Sequence, residues 1–312
     1  MKNKPIILIA GEPDTIFFEI FFKTLKKKKY KSPLILICSK RILINQMKFF
    51  NFKKKLRILK TQGIKKKKID NKNLNIIDLD LENSYTKNHL KISFDLAFKL
   101  IRHGFTNKLL NGPINKKFLN KKFLGITEYI SNNFNKKNTG MLIYNKELSV
   151  CPLTTHLPLK QVSKNITKKL ISEKIDLIDN FFKKQLKIKA KIAVTGLNPH
   201  CESISKFNED EKIIPSVIKI KKKKGINVKG PYSADTIFLK NNRKRFNIIL
   251  GMYHDQVIGP LKTLFEYDAI NITMGLPILR VSPDHGPNIE MLKKNKSNPL
   301  SLIRALDFLD NR

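Results

Sequence analysis

The sequence predicts an α/β protein whose sheets are mainly parallel. Strand-like apolar runs at residues 5–10 and 33–38 are each followed by a segment with helical periodicity. This strand–helix–strand–helix order is typical of a parallel sheet that carries helices on its faces. Several later strand-like runs end in polar residues, and open α/β sheets bind their ligands at the carboxyl ends of their strands.

Local patterns predict the elements of the N-terminal part in order. The turn 11–14 leads into a helix over 15–29, whose lysine-rich end is tolerated by the helix dipole. Ser39 is suited to cap the helix that follows the second strand. A longer amphipathic helix is expected over 84–103, and the strand 108–110 then enters a polar turn.

The second half begins with a β-hairpin, predicted over residues 141–153. A helix is expected over 163–184, and the strand 191–197 comes after it. Residues 209–222 are predicted to be helical with an interruption at their proline, and 230–236 to form a loop that offers a carboxylate. These elements would build a second α/β domain.

The stretch 252–286 carries a dense group of candidate functional residues and follows a buried strand over 246–252. Its polar members are Tyr253, His254, Asp255, Gln256, Lys262, Asn271, Thr273, Arg280, Asp284 and His285. Glycines and prolines between them suggest tight, fixed loops rather than a solvated face. We therefore interpret this stretch as the active site.

The formal net charge of +37 raises nucleic-acid binding as an alternative function. Only eight of the 62 basic residues are arginine, however, and nucleic-acid readers favour arginine for bidentate contacts. No basic run interleaves with stacking aromatics, and AT-rich codons shared by Lys, Asn and Ile account for the excess. A basic nucleic-acid-binding protein is a distant alternative, with weak, salt-sensitive adhesion to polyanions expected.

Cysteine usage and the N-terminus indicate a cytoplasmic protein. The three cysteines form no CxxC pair, which fits a reducing compartment. The N-terminal apolar run is too short for the core of a signal peptide or for a membrane span. We expect no membrane association and no specific nucleic-acid partner.

Three histidines, His156, His200 and His254, come directly after short apolar strands. Their spacings of 44 and 54 residues match no local zinc motif. Each histidine taken alone favours a structural role. Taken together, three imidazoles at strand ends of an α/β chain are what a catalytic metal with an open position requires.

Nine short motifs, in this order, resemble the successive signatures of the 4-hydroxythreonine-4-phosphate dehydrogenase family. They read GEP (11–13), GPINK (112–116), GITE (125–128), TTHLPL (154–159), GLNPHCE (196–202), GPYSADT (230–236), MYHDQ (252–256), NITMGLPILR (271–280) and SPDHG (282–286). The set spans nearly the whole chain. Any single motif would be weak, and the specificity comes from their combination.

The resemblance implies a two-domain α/β fold of the isocitrate and isopropylmalate dehydrogenase type, with the active site in the interdomain cleft. The first domain is expected to comprise 1–130 and 272–312, and the second, which carries the metal histidines, 131–271. A homodimer that shares its active sites between subunits is also implied. The family's metal ligands fall on His156, His200 and His254, and its substrate-binding positions fall on Thr127, Lys262, Asn271 and Arg280.

Family members oxidise 4-phosphooxy-L-threonine with NAD or NADP and release carbon dioxide and 3-amino-2-oxopropyl phosphate, a step of pyridoxal 5'-phosphate (vitamin B6) biosynthesis. A zinc, magnesium or cobalt ion would stabilise the developing alkoxide and then the enolate. Arg280 and Lys262 offer charge for phosphate or carboxylate, and Lys262 is also a candidate for proton transfer. Asp235 or Asp255 would orient a metal ligand.

Three departures from the family pattern bear on the substrate. Ile126 stands where the family has a histidine, so one polar contact is replaced by an apolar side chain. The first turn reads GEPDTIFFE (11–19) and lacks the family's glycines. Pro287 replaces a threonine and removes a hydroxyl and a backbone donor. A related dehydrogenase that acts on another 4-phosphorylated hydroxyacid is therefore the nearer alternative.

Overall fold

The computed structural model describes residues 3–12, 14–61, 69–79, 89–114, 123, 125–202, 208–284, 286 and 288–312. The chain divides into a first unit, Met1–Ile126 with Pro277–Arg312, and a second unit, Thr127–Leu276. The boundaries thus lie at 126 and 277, where the sequence suggested 130 and 272. No helix in the described ranges has the length and apolarity needed to cross a bilayer.

The strands of the described ranges are β1 (Ile6–Ile9), β2 (Leu34–Cys38), β3 (Leu56–Ile58), β4 (Leu74–Asp78), β5 (Lys108–Asn111), β6 (Gly140–Tyr144), β7 (Ser149–Thr154), β8 (Ile192–Thr195), β9 (Val228–Tyr232), β10 (Ile248–Tyr253), β11 (Ile270–Met274) and β12 (Leu279–Pro283). Their helices are α1 (Phe17–Lys27), α2 (Lys40–Phe49), α3 (His89–Arg102), α4 (Ile126–Asn133), α5 (Leu159–Asn165), α6 (Lys168–Phe181), α7 (Ile214–Lys223), α8 (Ala234–Ile237), α9 (Lys240–Arg243), α10 (His254–Phe265) and α11 (Leu300–Asp310). Most strand pairs are parallel, and the predicted α/β class is confirmed.

In the first unit the strands lie in the order β3-β4-β2-β1-β5-β12, and every described pair is parallel. Strands β1 and β2 are apolar runs that are buried along their whole length, as parallel sheets between helices require, whereas the edge strand β3 is partly exposed. Helix α1 packs four buried phenylalanines; Phe17 stacks on Phe21 with ring centroids 5.6 Å apart. A Cβ at Gly112 would lie 2.6 Å from the Phe17 ring. The position of Phe17 at the start of α1 therefore requires glycine at residue 112.

Glu19 is the last residue of the segment 11–19 that departs from the family pattern, and it lies in the first turn of α1. Its carboxylate is buried in the first unit. Glu19 is 2% exposed, accepts a hydrogen bond from Lys23 Nζ at 2.8 Å and accepts another from the backbone N–H of Ser297 at 2.6 Å. The ion pair and the N–H bond, both to Oε1, offset part of the loss of hydration that burial imposes on the charge, while Oε2 has no hydrogen-bond partner among the described residues. The departure at 11–19 therefore leaves α1 anchored to the C-terminal segment.

In the second unit the strands lie in the order β11-β6-β7-β10-β8-β9. The pairs that join β7, β10, β8 and β9 are parallel, whereas β6 is antiparallel to both of its neighbours. The predicted hairpin is present as β6 and β7, with Ile143 opposite Val150. Helix α10 packs Val257 and Leu261 into the apolar core of this unit.

Three predicted elements of the second unit differ in the structure. The helix expected over 163–184 is two helices, α5 and α6, because Ile166 is extended and Thr167 Oγ1 caps α6 by accepting from Leu170 N–H. The loop predicted over 230–236 belongs to β9 and α8. Residues 209–213 are a π-helical turn that continues into α7, and the change from π- to α-helical geometry falls next to Pro215, near the predicted interruption.

The stretch after His254 is also more regular than the predicted tight loops. Residues 254–265 form helix α10, with Pro260 inside it. Val257, Ile258 and Leu261 are buried on one face, which is the spacing that favours a helix over a loop. Residues 270–274 and 279–283 are the strands β11 and β12.

Candidate functional site

The ends of three neighbouring parallel strands carry the three histidines singled out from the sequence. Strand β10 lies between β7 and β8, and Thr154 of β7 is the register partner of Tyr253 of β10. His254 follows β10 directly, and His156 comes two residues after β7. His200 lies in the turn after β8. All three therefore lie at the carboxyl edge of the second unit's sheet, where α/β folds bind ligands.

The rings of His156 and His254 are neighbours, with centroids 6.3 Å apart and planes inclined by 36°. The Nδ1 atom of His156 is buried and has no hydrogen-bond partner among the described residues. The nearest carboxylate oxygen is Glu128 Oε1, at 3.7 Å. A buried ring nitrogen with no hydrogen bond is costly, which makes this atom a candidate for binding a metal ion or a substrate group.

The Nδ1 atom of His254 lies 2.7 Å from Asp255 Oδ1. A carboxylate on Nδ1 favours the tautomer that leaves Nε2 as the free acceptor. The same arrangement orients many metal-bound imidazoles in proteins. His254 is therefore held in a form that can bind a cation through Nε2.

His200 lies in a short 3₁₀ turn, Pro199–Cys201, and is exposed. Both His200 and Cys201 have positive φ, 56° and 62°, which is uncommon for residues other than glycine. The pKa of the Asp235 carboxyl is lowered, chiefly because Ser233 Oγ donates to it and to a lesser degree because His200 is near. His200 is thus near enough to Asp235 for their charges to interact.

The structure does not close the three histidines around one point. Within the ranges that the structure describes, no three His, Cys, Asp or Glu side chains are grouped so that they could hold one ion. The arrangement consists of one neighbouring pair, His156 and His254, with His200 at the same sheet edge near a different carboxylate.

A buried hydrogen-bond chain ties the three strand ends together. Gln256 Oε1 accepts from Met252 N–H at 2.7 Å and from Thr195 Oγ1 at 2.8 Å, while its Nε2 donates to the Gly196 carbonyl at 2.8 Å. Thr154 Oγ1 donates to the Met252 carbonyl at 2.8 Å. Since fully satisfied polar networks rigidify their surroundings, this chain fixes β7, β8 and β10 relative to one another just before their histidines.

The predicted substrate-binding residues of the second unit differ in their surroundings. Thr127 is buried in α4, and Lys262 is half-buried on α10. The side-chain Oδ1 of Asn271 in β11 is buried without a hydrogen-bond partner among the described residues. Such an oxygen is suited to accept from a substrate hydroxyl or ammonium group.

Arg280 belongs to the first unit and is 1% exposed. Its Nε donates to Asn111 Oδ1 at 2.8 Å, and the Asn111 amide donates in turn to the Gly112 carbonyl at 2.9 Å. Asn111 thereby fixes the plane of the guanidinium, which is the group best suited to bidentate binding of phosphate.

Sequence reasoning missed Glu128 and Thr154 as site residues, although each lies within a quoted motif, and it named Gln256 without its role as a partner of three strand ends. These residues could have been found from the sequence, because each lies within two positions of a predicted metal ligand or substrate-binding residue. His285 and Pro287, which the sequence also singled out, lie outside the described residues.

Comparisons with known proteins agree with the motifs. Residues 29–309 match the family described as "Pyridoxal phosphate biosynthetic protein PdxA". The 4-hydroxythreonine-4-phosphate dehydrogenase of Sulfurihydrogenibium sp. is 35% identical, over 97% of this chain and 96% of its own length. The D-threonate 4-phosphate dehydrogenase of Pectobacterium atrosepticum is 31% identical over 69% of each chain.

Solved structures give the same assignment of fold. A 4-hydroxythreonine-4-phosphate dehydrogenase from Klebsiella pneumoniae superposes with a TM-score of 0.81 at 26% identity, over 98% of both chains. An isocitrate dehydrogenase from Methylococcus capsulatus superposes with a TM-score of 0.50 at 11% identity, over 98% of this chain and 84% of that one. The second likeness concerns the fold alone.

Proposed function

Because the chain belongs to the PdxA family of pyridoxal phosphate biosynthetic proteins and is a dehydrogenase, we propose that it oxidises 4-phosphooxy-L-threonine with NAD or NADP. The resulting keto acid loses carbon dioxide to give 3-amino-2-oxopropyl phosphate. The observation that carries this proposal is the His156–His254 pair at the carboxyl edge of the second unit. We also propose that the enzyme works as a cytoplasmic homodimer, with 1–130 plus 272–312 and 131–271 as its functional domains.

The His156–His254 pair supports the proposal of a divalent cation, although His200 is not grouped with that pair in the described residues. Two imidazoles that share a tetrahedral ion, each with its nitrogen about 2.1 Å from it, have ring centres about 5 Å apart. The observed ring centres are 6.3 Å apart, so the pair would have to move closer to share an ion. The unpartnered His156 Nδ1 and the carboxylate on His254 Nδ1 support the same reading. His200 would complete the set by a change in its positive-φ turn, which is the kind of strained backbone found at functional sites.

His156, His200 and His254 would hold a zinc, magnesium or cobalt ion. Such an ion, when bound, stabilises negative charge on the substrate oxygen during oxidation and decarboxylation. Asp255 keeps His254 in the tautomer that binds through Nε2, and Asp235 is near enough to His200 for their charges to interact. The buried Gln256 amide keeps the histidine-bearing strand ends in place.

The remaining proposed residues bind the substrate. Arg280, oriented by Asn111, offers a guanidinium for the phosphate or carboxylate. Asn271 offers a buried carbonyl oxygen, and Thr127 a buried hydroxyl. Lys262 supplies a second positive charge and is the candidate for moving a proton at the substrate carbon that loses carbon dioxide.

D-threonate 4-phosphate is a second candidate substrate, because a relative named for it matches this chain and because Ile126 replaces the family's histidine. The two compounds differ at carbon 2, which carries an amino or a hydroxyl group. Ile126 is half-buried at the start of α4 and directly precedes Thr127. It cannot make the polar contact that a histidine makes.

Both substrates are tested in one assay, in which reduction of NAD or NADP is followed with zinc, magnesium or cobalt present. We expect turnover of 4-phosphooxy-L-threonine with a higher kcat/KM than that of D-threonate 4-phosphate. Absence of turnover with every metal, in protein that is folded, would refute the proposed reaction. A higher kcat/KM for D-threonate 4-phosphate would mean that this compound is the substrate and that the proposed oxidation still applies.

The Ile126→His variant separates the two readings further. One added hydrogen bond is worth about 1 kcal/mol, so we expect kcat/KM for 4-phosphooxy-L-threonine to rise about fivefold. Ile44→His, at an exposed position of α2, serves as the matched control and should change nothing. If Ile126→His leaves the threonine derivative unimproved, that compound is not the substrate for which the site is built.

A further inference from the structure

A cavity of about 450 Å³ opens in the first unit, away from every residue of the predicted site. It is lined by the end of α1, the loop into β2, the segment before β3 and the turn before β4. The strands β2, β3 and β4 are parallel and all begin at this edge. The cavity therefore lies at the amino edge of the sheet, opposite the carboxyl edge at which Asn111 ends β5.

Four lysines line this cavity: Lys28, Lys29, Lys54 and Lys72. Lys28 Nζ is paired with Asp307 at 2.6 Å. The other three make no ion pair within the described ranges. Helix α1 ends at the cavity, so its dipole adds no positive potential there. The four lysines are the charged groups of the lining, and Asp307 and Asp310 lie near enough to add to the rise in the pKa of Tyr30 that burial chiefly causes.

Lys54 is the most informative of these residues because it is half-buried. Burial lowers the pKa of its ammonium group. A lowered lysine pKa means that the folded protein disfavours the charged form, and an anion nearby would reverse that preference. The other lining lysines are exposed and can move toward a ligand.

The inner wall of the cavity is apolar and rigid. Leu25, Leu34, Leu74 and Tyr30 contribute to it. Tyr30 is 8% exposed, and its hydroxyl has no hydrogen-bond partner among the described residues. The Asn71 side chain donates to the Tyr30 carbonyl at 3.0 Å and accepts from Leu34 N–H at 2.8 Å, which fixes this wall.

We propose that this cavity binds a small organic phosphate, whose anionic group lies among Lys29, Lys54 and Lys72 and whose apolar body packs against Leu34, Leu74 and the ring of Tyr30. The size suits such a ligand, because small-molecule sites occupy about 300–1,000 Å³ and combine apolar walls with a few polar groups. The half-buried Lys54 and the apolar wall distinguish the cavity from a solvated lysine-rich surface.

Site-resolved acetylation of lysines tests the proposal on the full chain, with phenyl phosphate as the probe. We expect the probe to slow acetylation of Lys54 and Lys72 several-fold. Lys26, exposed on α1 and outside the cavity, is the internal control and should react at an unchanged rate. Equal protection of Lys26 and Lys54 would show non-specific adhesion of the anion, and no protection at all would show no site; either overturns the proposal.

Affinity measurements on variants complete the test. Lys54→Met retains the apolar stem and removes one charge-assisted contact, so phenyl phosphate should bind about tenfold more weakly, whereas Lys26→Met should bind as the parent does. Inorganic phosphate should protect Lys54 less well than phenyl phosphate. Equal affinities for phenyl phosphate and inorganic phosphate would show that the apolar wall does not contact the ligand, which would overturn the proposal of an organic phosphate. Dehydrogenase activity is a separate readout, since the cavity and the predicted site share no residue.

Discussion

Replacing His254 by alanine is expected to weaken zinc binding by at least about a hundredfold and to remove dehydrogenase activity with it. Loss of a residue that only orients a metal ligand already costs about 10–100-fold in affinity, and His254 is proposed to bind the ion itself. Its ring neighbours that of His156 and is oriented by Asp255. Zinc affinity is measured by competition with a chelator, and activity by reduction of the nicotinamide cofactor.

His103→Ala is the matched control. His103 lies just beyond α3, is exposed, and its Nδ1 lies 2.7 Å from the Lys99 carbonyl. Its removal should leave both zinc affinity and activity unchanged. If His254→Ala retains zinc with parental affinity, the proposed set of ligands is wrong even if activity falls.

Replacing Gln256 by leucine is expected to lower the free energy of unfolding by about 3–5 kcal/mol. The variant keeps the volume of the side chain but leaves the Met252 N–H, the Thr195 hydroxyl and the Gly196 carbonyl without their present partner. Each buried polar group deprived of its hydrogen bond costs about 1–3 kcal/mol. Urea denaturation measures the change, and zinc affinity should fall in parallel because the strand ends lose their connection.

Gln161→Leu controls for the chemical change itself. Gln161 is exposed on α5, and its substitution should alter the free energy of unfolding by no more than about 0.5 kcal/mol. Equal stability of the two variants would mean that the Gln256 bonds do not hold β8 and β10 together. Loss of stability with unchanged zinc affinity would separate the hydrogen-bond chain from the metal site.

Much of the fold was predictable because strand and helix signals are local. The pattern of apolar residues in the sequence predicts buried strands such as Ile6–Ile9 and the hairpin of β6 and β7. The division of the helix predicted over 163–184 was not, because it depends on the extended Ile166 and on the hydroxyl of Thr167. The spacing of apolar residues continues from α5 into α6, so it does not reveal the break between the two helices.

The candidate site was predictable only in its residue types. His156, His200 and His254 could be named from their positions after strands, but spacing along the chain does not give the order β7-β10-β8 that makes those strands neighbours. The contacts of Glu128 and Gln256 are visible only in the folded structure. Glu128 Oε1 lies 3.7 Å from His156 Nδ1, and Gln256 Oε1 accepts from Met252 N–H at 2.7 Å. Such contacts join residues 28 and 4 positions apart in the sequence, and no periodicity marks them.

Anomalous diffraction at the zinc edge, from crystals grown with zinc, tests whether His156, His200 and His254 bind one metal ion. We expect one strong peak within bonding distance, about 2.1 Å, of ring nitrogens of His156, His200 and His254. A peak held by other residues, or no peak at these three rings in zinc-saturated protein, would contradict it.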